Sequence, residues 1–519
     1  MLKSLPLTLV LKCCAVSVVI VAIAGCGGRS SGSTGSMNST WQKGTFEVAE
    51  NYANQCAVPR TGIDLSTQQP FPDKQATFLE ENNFLRSWSN DTYLWYDEIE
   101  DQDPYLFPST AQYFNTLKTM AKTASGKNKD NFHFTYKTTV WDGLINSGVD
   151  TGYGITWASA AEGIPRNVVV SYTEPGSPAA NSNLQRGARL LKVDGVDFLY
   201  SNNVDALNAG LFPSAHGESH SFEVQDYGSD TPHTIVLVSG PITKVPVQNV
   251  NTIDTASGKV GYFLFNDHLA TAEQELIDAV NQLAQNNVSD LVLDVRYNGG
   301  GYLYIASELA YMIAGQNATA NKIFEKTTFN NKHTQRGLSG EVLQPMGFLS
   351  TSDTGDNLPS LNLHRVYIIT SGDTCSASES IINSLRGVDV EVIQIGAKTC
   401  GKPYGFFARD NCGTTYFSIQ FKGVNNKGFG EYSDGFTPSE QDNGLDNIKG
   451  CESSDDFTHL LGDANELNLA SALHYRETGT CPAASESVKL QKLSLPGLGY
   501  NSSRRILNKE VGLTNRIMR

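Results

Sequence analysis

Residues 260–301 read VGYFLFNDHLATAEQELIDAVNQLAQNNVSDLVLDVRYNGGG, and this stretch decides the fold class. The apolar run 260–265 predicts a strand. Residues 271–274 (TAEQ) match a capping box that opens an amphipathic helix, and the run 291–295 predicts a second strand. Two strands joined by a helix favour a crossover connection, and therefore parallel strands in one sheet.

The same alternation continues further along the chain. The apolar patterns predict strands at 366–370 and 390–395, and helices at 303–313, 377–385 and 464–475. We therefore expect an α/β core with a mostly parallel, buried sheet.

The segments before this core have a different character. Residues 43–147 look helical and are rich in aromatic clusters, such as 84–88 and 93–96. Residues 148–243 contain short β-branched runs separated by Gly and Pro, which predicts a small β-rich domain. The predicted fold class is multi-domain α+β, with a helical N-terminal region, a β-rich domain and the α/β core.

Composition limits the classes of partner. The 519 residues carry a formal net charge of −15 and no basic stripe, which argues against nucleic acid as a partner. Hydrophobic residues make up 39% of the chain, enough for large cores, so the chain is not of the disordered class.

The beginning of the sequence indicates export. Residues 13–25 form an apolar run that is too short to span a bilayer comfortably, and it ends in Ile23-Ala24-Gly25-Cys26. This ending resembles the lipobox of bacterial lipoproteins. We therefore expect a signal peptide over 1–25, a lipid on Cys26 and a flexible tether over 26–42. An ordinary secretory signal with a chance cysteine is the alternative. The predicted location is the bacterial cell envelope, at the outer membrane facing the periplasm.

Cysteine usage agrees with export. Six cysteines remain after Cys26, and an even number in an exported chain predicts up to three disulfides. They are Cys56, Cys375, Cys400, Cys412, Cys451 and Cys481. Proximity in sequence favours the pairs Cys400–Cys412 and Cys451–Cys481. A zinc site is the competing interpretation, but the mature chain has no CxxC motif or paired-histidine spacing, so we expect no metal and no cofactor.

Three segments at predicted strand ends carry possible chemistry. Residues 294–301 (DVRYNGGG) form a glycine-rich turn that leaves backbone N–H groups exposed. Residues 374–379 (TCSASE) place a serine where a strand turns into a helix, although a helix cap explains Ser-x-x-Glu equally well. Residues 396–403 (GAKTCGKP) match a phosphate-binding P-loop except at Pro403, where Ser or Thr is required, so we expect no nucleotide.

Together these segments resemble the C-terminal processing peptidases, also called tail-specific proteases. That family carries an Asp-Leu-Arg-x-Asn-x-Gly-Gly turn, a Ser-Ala-Ser-Glu turn and a following Gly-Lys pair. Members also carry a PDZ domain before the catalytic core, and residues 148–243 resemble it. The matching PDZ motifs are the carboxylate-binding loop Gly152-Tyr153-Gly154-Ile155, the turn 175–179 and the strand region 187–195.

The resemblance implies a role for individual residues. Ser376 would be the nucleophile and Lys402 its base, because a serine hydroxyl needs a neighbouring group to remove its proton. The oxyanion would be held by an amide of Gly300 or Gly301 together with that of Ala377. Glu379 and Thr399 would support the site. Many members have a glutamine at the position of Phe406, so a third catalytic residue stays unassigned; His268 is the one histidine we would test as a base.

The resemblance also implies the organisation of the whole chain. We expect the PDZ domain over 148–243, the serine protease core over 244–452 and a helical extension with a basic tail over 453–519. The expected function is an exported endopeptidase that recognises protein or peptide substrates through accessible C-termini. A non-catalytic peptide-binding lipoprotein, derived from such a protease, is the alternative.

Overall fold

The computed structural model describes residues 41–64, 67–161, 164–483 and 516–517. The chain divides into two compact units, residues 1–42 and residues 43–519, and the description below concerns the second. The predicted signal peptide and Cys26 lie outside the described residues. Among the helices in the described ranges, none has both the length and the apolar character that crossing a bilayer requires.

The centre of this unit is a seven-stranded sheet, here called the main sheet. In spatial order its strands are Val247–Thr255, Gly258–Phe265, Asp290–Asp294, Arg365–Thr370, Glu391–Gly396, Asn447–Glu452 and Thr437–Ser439. The first two strands pair antiparallel, and every later neighbouring pair is parallel. The parallel strands therefore end at a common edge of the sheet, and that edge carries the three segments singled out above.

Helices cover both faces of the main sheet, as the buried apolar runs of its strands require. Ala272–Gln285, Leu303–Thr319 and Ala377–Gly387 contribute to one core cluster, and Leu467–Thr478 contributes to the cluster on the other face. Successive residues of a strand point to opposite faces, so Leu291 joins the first cluster and Val292 the second.

The predicted helices occur with shifted ends. The helix predicted at 303–313 continues to Thr319 across a non-helical Gly315. The one predicted at 464–475 is found at Leu467–Thr478. The predicted capping box at 271–274 is wrong: the Thr271 side chain makes no capping hydrogen bond, because its backbone already has helical torsion angles.

Residues 148–243 form a β-rich domain with a hydrophobic core of its own. Its six-stranded sheet consists of Ile155–Ala161, Asn167–Thr173, Arg189–Val193, Val196–Asp197, Ser219–Gln225 and His233–Val238. The short helices Pro178–Asn181 and Val204–Leu211 accompany this sheet. Val149–Gly152 pairs antiparallel with Gly240–Thr243, which brings the two ends of the segment together.

The region 43–147 is less helical than the sequence predicts. Its helices are Phe78–Thr92, Thr110–Phe114 and Thr138–Ser147, with 3₁₀ turns at Ala49–Asn51, Tyr96–Glu98 and Pro104–Leu106. Short strands occur at Gln55–Cys56, Ile63–Asp64, Gln69–Pro70, Lys74–Gln75 and Phe134–Lys137. The last of these pairs with Thr414–Phe417 of the core. The aromatic clusters therefore pack in part against the core instead of along helices of a separate domain.

Small sheets complete the core. One contains Met346–Gly347, Ile323–Phe329, Phe421–Val424 and Tyr404–Gly405, and another contains Arg409–Asn411, Thr414–Phe417 and Phe134–Lys137. A third consists of Gly301–Tyr302 and Arg516–Ile517, which pair in parallel. We call Arg516–Ile517 the distal strand.

Three disulfides connect the six cysteines. The Cys451–Cys481 pair is confirmed. The predicted Cys400–Cys412 pair is wrong, because Cys412 bonds to Cys56 and Cys400 bonds to Cys375. Proximity in sequence failed here because the folded core brings Cys56, 356 positions away, beside Cys412.

Candidate active site

The first segment of the site, here called the glycine turn, comprises residues 297–301 after the strand Asp290–Asp294. The Asn298 side chain fixes it: Oδ1 accepts from the Gly300 N–H at 2.9 Å, and Nδ2 donates to the Phe265 carbonyl at 2.9 Å. His268 Nδ1 lies 3.0 Å from the same Oδ1. Burial lowers the pKa of His268 to about 3, so the ring is neutral near pH 7 and Nδ1–H is the donor.

The second segment, the serine turn, comprises residues 371–376 after the strand Arg365–Thr370. Ser376 has φ 60° and ψ −113°, a conformation that a non-glycine residue rarely adopts and that often marks a functional turn. Its side chain is fully buried, and Oγ makes no hydrogen bond to any described residue. Ser376 is the N-cap residue of the helix Ala377–Gly387 and shares a capping-box arrangement with Glu379, which fixes its position in the turn while Oγ stays available for chemistry.

Hydrogen bonds hold the serine turn against the glycine turn. The Cys375 N–H donates to the Asn298 carbonyl at 3.0 Å, and Ser378 Oγ donates to the same carbonyl at 3.1 Å. The Ala377 amide lies at the first position of its helix, where an amide has no acceptor within the helix.

The third segment, the lysine turn, comprises residues 396–402 after the strand Glu391–Gly396. The Cys400 N–H donates to the Thr374 carbonyl at 3.0 Å, and the Cys375–Cys400 disulfide joins the two turns covalently. Gly401 has φ 86°, and a Cβ at this position would lie 2.4 Å from the Ser433 carbonyl oxygen, so the turn requires glycine there.

Lys402 is completely buried and lies among aromatic rings. Its Nζ is 4.5 Å from the ring centroid of Phe406 and 4.8 Å from that of Phe132. Phe406, which replaces the glutamine common in the resembling family, is thus part of the wall around the amine. Phe132 comes from the N-terminal region, and no sequence pattern connected it to the site.

The Glu379 carboxylate joins the serine and lysine turns. It accepts from the Ser376 N–H at 2.9 Å, the Gly401 N–H at 2.9 Å and the Lys402 N–H at 2.8 Å. Thr399 Oγ1 donates to it at 2.5 Å. Burial raises the pKa of Glu379, while these donors act in the opposite direction. Glu379 and Thr399 therefore hold the backbone of both turns in place.

The described structure around the lysine turn does not have the geometry of a P-loop, and the cysteines beside it are not free to bind a metal ion. A P-loop requires a helix directly after the glycine-lysine pair, but the described chain continues as the strands Tyr404–Gly405 and Arg409–Asn411. Among the described residues, one cluster has metal-ligand types, namely Cys375, Glu379 and Cys400. Its two sulfurs are bonded to each other, so they are not available as thiolate ligands.

The segment predicted as a carboxylate-binding loop lines a cavity to which, among the described residues, none of the three turns contributes. Gly152, Tyr153, Gly154 and Ile155 line a cavity of about 590 Å³ beside the β-rich domain. Lys244 and Glu174 also line it. Burial lowers the pKa of Lys244, but Asp267 and Glu174 outweigh this effect and leave it raised, so the cavity contains a cation.

Comparisons with known proteins match the part of the chain that contains the three turns. Residues 259–407 match the model of peptidase family S41. A carboxyl-terminal-processing protease of Picosynechococcus sp. is 27% identical over 230 residues, which are 44% of this chain and 49% of the relative. Its namesake in Synechocystis sp. is 24% identical over 227 residues, 44% of this chain and 47% of the relative. The chain thus spans about half the length of these curated relatives.

A solved structure from Bacteroides fragilis, assigned to the S41 proteases, has a similar fold. It covers 76% of this chain and 97% of its own, with a TM-score of 0.57 and 21% sequence identity. Residues 259–407, which match the family model, include the glycine turn, the serine turn and the lysine turn. Residues 259–407 are therefore similar to peptidase family S41, and the relatives of this chain include carboxyl-terminal-processing proteases.

Proposed function

We propose that this protein is a serine endopeptidase in which Ser376 is the nucleophile and Lys402 the general base. One observation carries the proposal: two adjacent turns bury the serine and the lysine, and the Glu379 carboxylate and the Cys375–Cys400 disulfide hold both turns in place. A lysine must be neutral to accept a proton, and an apolar environment favours the neutral amine.

The reaction would proceed through an acyl-enzyme. Lys402 Nζ takes the proton of Ser376 Oγ as the oxygen attacks the substrate carbonyl, and the lysine then gives this proton to the departing amine. Water releases the acyl group by the reverse sequence. The Gly300 N–H already donates a hydrogen bond to Asn298 Oδ1. We therefore assign the binding of the oxyanion to the N–H groups of Gly301 and Ala377.

We further propose that residues 148–243 are a PDZ domain that captures the end of a substrate. An extended peptide adds to a sheet edge in such domains, and loop amides bind its carboxylate. Gly152, Tyr153, Gly154 and Ile155 would form this loop, and the cavity that they line would receive the substrate carboxylate. Lys244, which also lines the cavity, supplies a positive charge. Protein or peptide substrates with accessible C-termini fit this arrangement.

The remaining proposals concern location and layout. We propose that the chain is exported, lipidated at Cys26 and anchored to the bacterial outer membrane facing the periplasm, with residues 26–42 as a tether. The protease core would span 244–452, preceded by the region 43–147 and followed by the extension 453–519. Three disulfides support an oxidising compartment.

Labelling with a fluorophosphonate, combined with cleavage of unfolded casein, tests this function. Full-length protein in mild detergent should be labelled at Ser376 and should cleave casein. In Lys402→Met, the rates of labelling and of casein cleavage should each fall by at least about 1,000-fold, because the base is absent. Lys398→Met, a lysine substitution in the same turn, is the control and should keep them.

The alternative function, a non-catalytic peptide-binding lipoprotein, draws on one observation, the absence of a hydrogen bond at Ser376 Oγ in the described structure. It predicts peptide binding without cleavage and without labelling. Equal casein cleavage by wild type and Lys402→Met would reject the Ser–Lys mechanism itself.

A further inference from the structure

A strand from far along the chain lies beside the glycine turn. In the distal strand, Arg516 pairs with Gly301 and Ile517 pairs with Tyr302. Cα atoms of the distal strand also come within 8 Å of those of Tyr404–Gly405, which begin two positions after Lys402. The distal strand therefore lies close both to the glycine turn and to the segment that follows the lysine turn.

The hydrogen bonds of the glycine turn identify the edge that the distal strand occupies. The His268 N–H donates to the Gly300 carbonyl at 3.1 Å, and the Tyr302 N–H donates to the His268 carbonyl at 2.9 Å. Successive backbone groups of an extended chain point to opposite sides. The N–H and carbonyl of Gly301 therefore face away from His268 and toward the distal strand.

On its other side, Gly301 packs closely against His268, so no further strand can pair with Gly301 there. Gly301 has φ 139°, and a Cβ there would lie 2.5 Å from the His268 carbonyl oxygen. His268 is itself fully buried. The only edge at which Gly301 can accept another strand is thus the one that the distal strand occupies.

A substrate needs the same edge. Its scissile carbonyl oxygen must come within hydrogen-bond distance of the Gly301 amide if that amide stabilises the oxyanion. The residues around the scissile bond would then pair with Gly301–Tyr302 as an added strand. Two strands cannot occupy one edge together.

We propose that the distal strand is an intramolecular occupant of the substrate-binding edge, and that it competes with protein substrates for Gly301–Tyr302. The competition with substrates rests on the proposed protease function, whereas the pairing of the distal strand with Gly301–Tyr302 does not. Residues 484–515, which connect the distal strand to the core, would span roughly 100 Å if extended, so their length permits the pairing.

A binding experiment tests the occupancy without using activity. The probe is a fluorescein-labelled peptide of residues 511–519, and the proteins are Ser376→Ala and the same variant ending at Asn515. The shortened variant should bind the peptide at least ten-fold more tightly than the full-length variant, because its edge is free. Equal affinities, binding of a scrambled peptide with equal strength, or no binding by the shortened variant would overturn the proposal.

A kinetic experiment tests the competition. Ile517→Pro removes the N–H of one paired residue, and it should lower KM for unfolded casein several-fold at unchanged kcat. Ser503→Pro, in the same part of the sequence but outside the paired residues, is the matched control and should leave KM at the wild-type value. An unchanged KM in an active Ile517→Pro variant contradicts the competition.

The two experiments separate this proposal from the proposed function. If no form cleaves casein while the shortened variant still binds the peptide more tightly, the protease function fails and the occupancy stands. If wild type cleaves casein while shortening changes neither KM nor peptide binding, the protease function stands and the occupancy fails.

Discussion

Glu379 receives four hydrogen bonds from the two turns that carry the proposed nucleophile and base. The sequence offered two interpretations of this residue, a helix cap and a support for catalysis. The structure combines them, because the carboxylate caps the helix through the Ser376 N–H and also binds the amides of Gly401 and Lys402. Its contribution is geometric: it fixes where the serine and the lysine stand relative to each other.

Replacing Glu379 by glutamine should therefore impair catalysis more than folding. The amide keeps the volume but has one acceptor oxygen where the carboxylate has two, which leaves buried N–H groups without partners. We expect kcat on casein to fall by about 10–100-fold and the free energy of unfolding to fall by about 1–3 kcal/mol. Casein cleavage and urea unfolding measure the two effects.

Glu391→Gln is the control for this substitution. Glu391 is exposed and faces Lys449 at 3.4 Å across the surface, an ion pair worth at most about 1 kcal/mol. Equal kcat values for Glu379→Gln and Glu391→Gln would show that the carboxylate does not position the turns.

At this scale the sequence predicted the residues with a motif and missed those without one. Ser376, Lys402 and the glycines belong to short patterns with a fixed order, so the sequence alone could propose them as site residues. Phe132 has no such pattern, because it reaches Lys402 only through the folding of a region 270 positions away in sequence. The hydrogen bond from His268 to Asn298 likewise depends on two strand ends meeting.

Among the elements, the serine and lysine turns are the pair that must stay in register. Neighbouring parallel strands bring them to one edge of the main sheet, and the Cys375–Cys400 disulfide joins them. The Cys451–Cys481 disulfide joins a strand of the main sheet to the residues after its last helix. Cys451 pairs with Ile395, just before the lysine turn, but this bond does not join the two turns to each other. The two bonds close loops of similar length, with sequence separations of 25 and 30.

This similarity gives a matched comparison. Replacing either pair by serines should cost about 3 kcal/mol of stability, because the entropy of closing the two loops is nearly the same. Only Cys375→Ser/Cys400→Ser should also lower kcat, by about ten-fold or more, since it loosens the turns that carry the catalytic pair. Thermal unfolding and casein cleavage distinguish the two outcomes. Equal kcat losses in both double variants would contradict the account.

Local sequence patterns located most elements of the core but not those of the N-terminal region. Strands such as Asp290–Asp294 are continuous apolar runs between breakers, which a buried parallel strand requires. Phe134–Lys137 shows half-buried alternation and gains its partner, Thr414–Phe417, from the core. Its strand conformation is therefore set by a long-range pairing that local sequence does not contain.

For the molecule as a whole, buried charges connect the β-rich domain to the α/β core and to the residues that follow it. Arg186 of the β-rich domain donates to Tyr297 Oη at 2.7 Å and to Asp455 Oδ1 at 2.6 Å. Arg296 donates to the same Asp455 oxygen at 2.8 Å and pairs with Glu466 at 2.7 Å. The β-rich domain thus contacts the residue that begins the glycine turn.

Arg186→Met should destabilise the protein strongly. The substitution leaves Asp455 with one cation fewer in a buried setting, which costs about 3–5 kcal/mol when a buried pair is broken. Urea unfolding of the full-length chain measures this loss. Lys192→Met removes a surface ion pair with Glu223 in the same segment and should leave the free energy of unfolding close to the wild-type value, because solvent screens exposed pairs. Similar losses for the two variants would mean that the Arg186 contacts carry no special weight.

Changes in composition and the motifs predict an order of segments along the chain, whereas they do not predict how those segments contact one another. The Arg186–Asp455 pair joins residues 269 positions apart, and the Cys56–Cys412 disulfide joins residues 356 positions apart. No short pattern marks either contact, because each forms only when the separate segments have folded.

The central claim is that Ser376 performs proteolysis, and its most direct test is the rate at which full-length Ser376→Ala cleaves an unfolded protein with an accessible C-terminal tail. We predict a fall of at least about 1,000-fold relative to wild type, with an unchanged thermal unfolding midpoint, because the substitution removes one buried oxygen that makes no hydrogen bond to any described residue. Cleavage by Ser376→Ala at the wild-type rate would contradict the account.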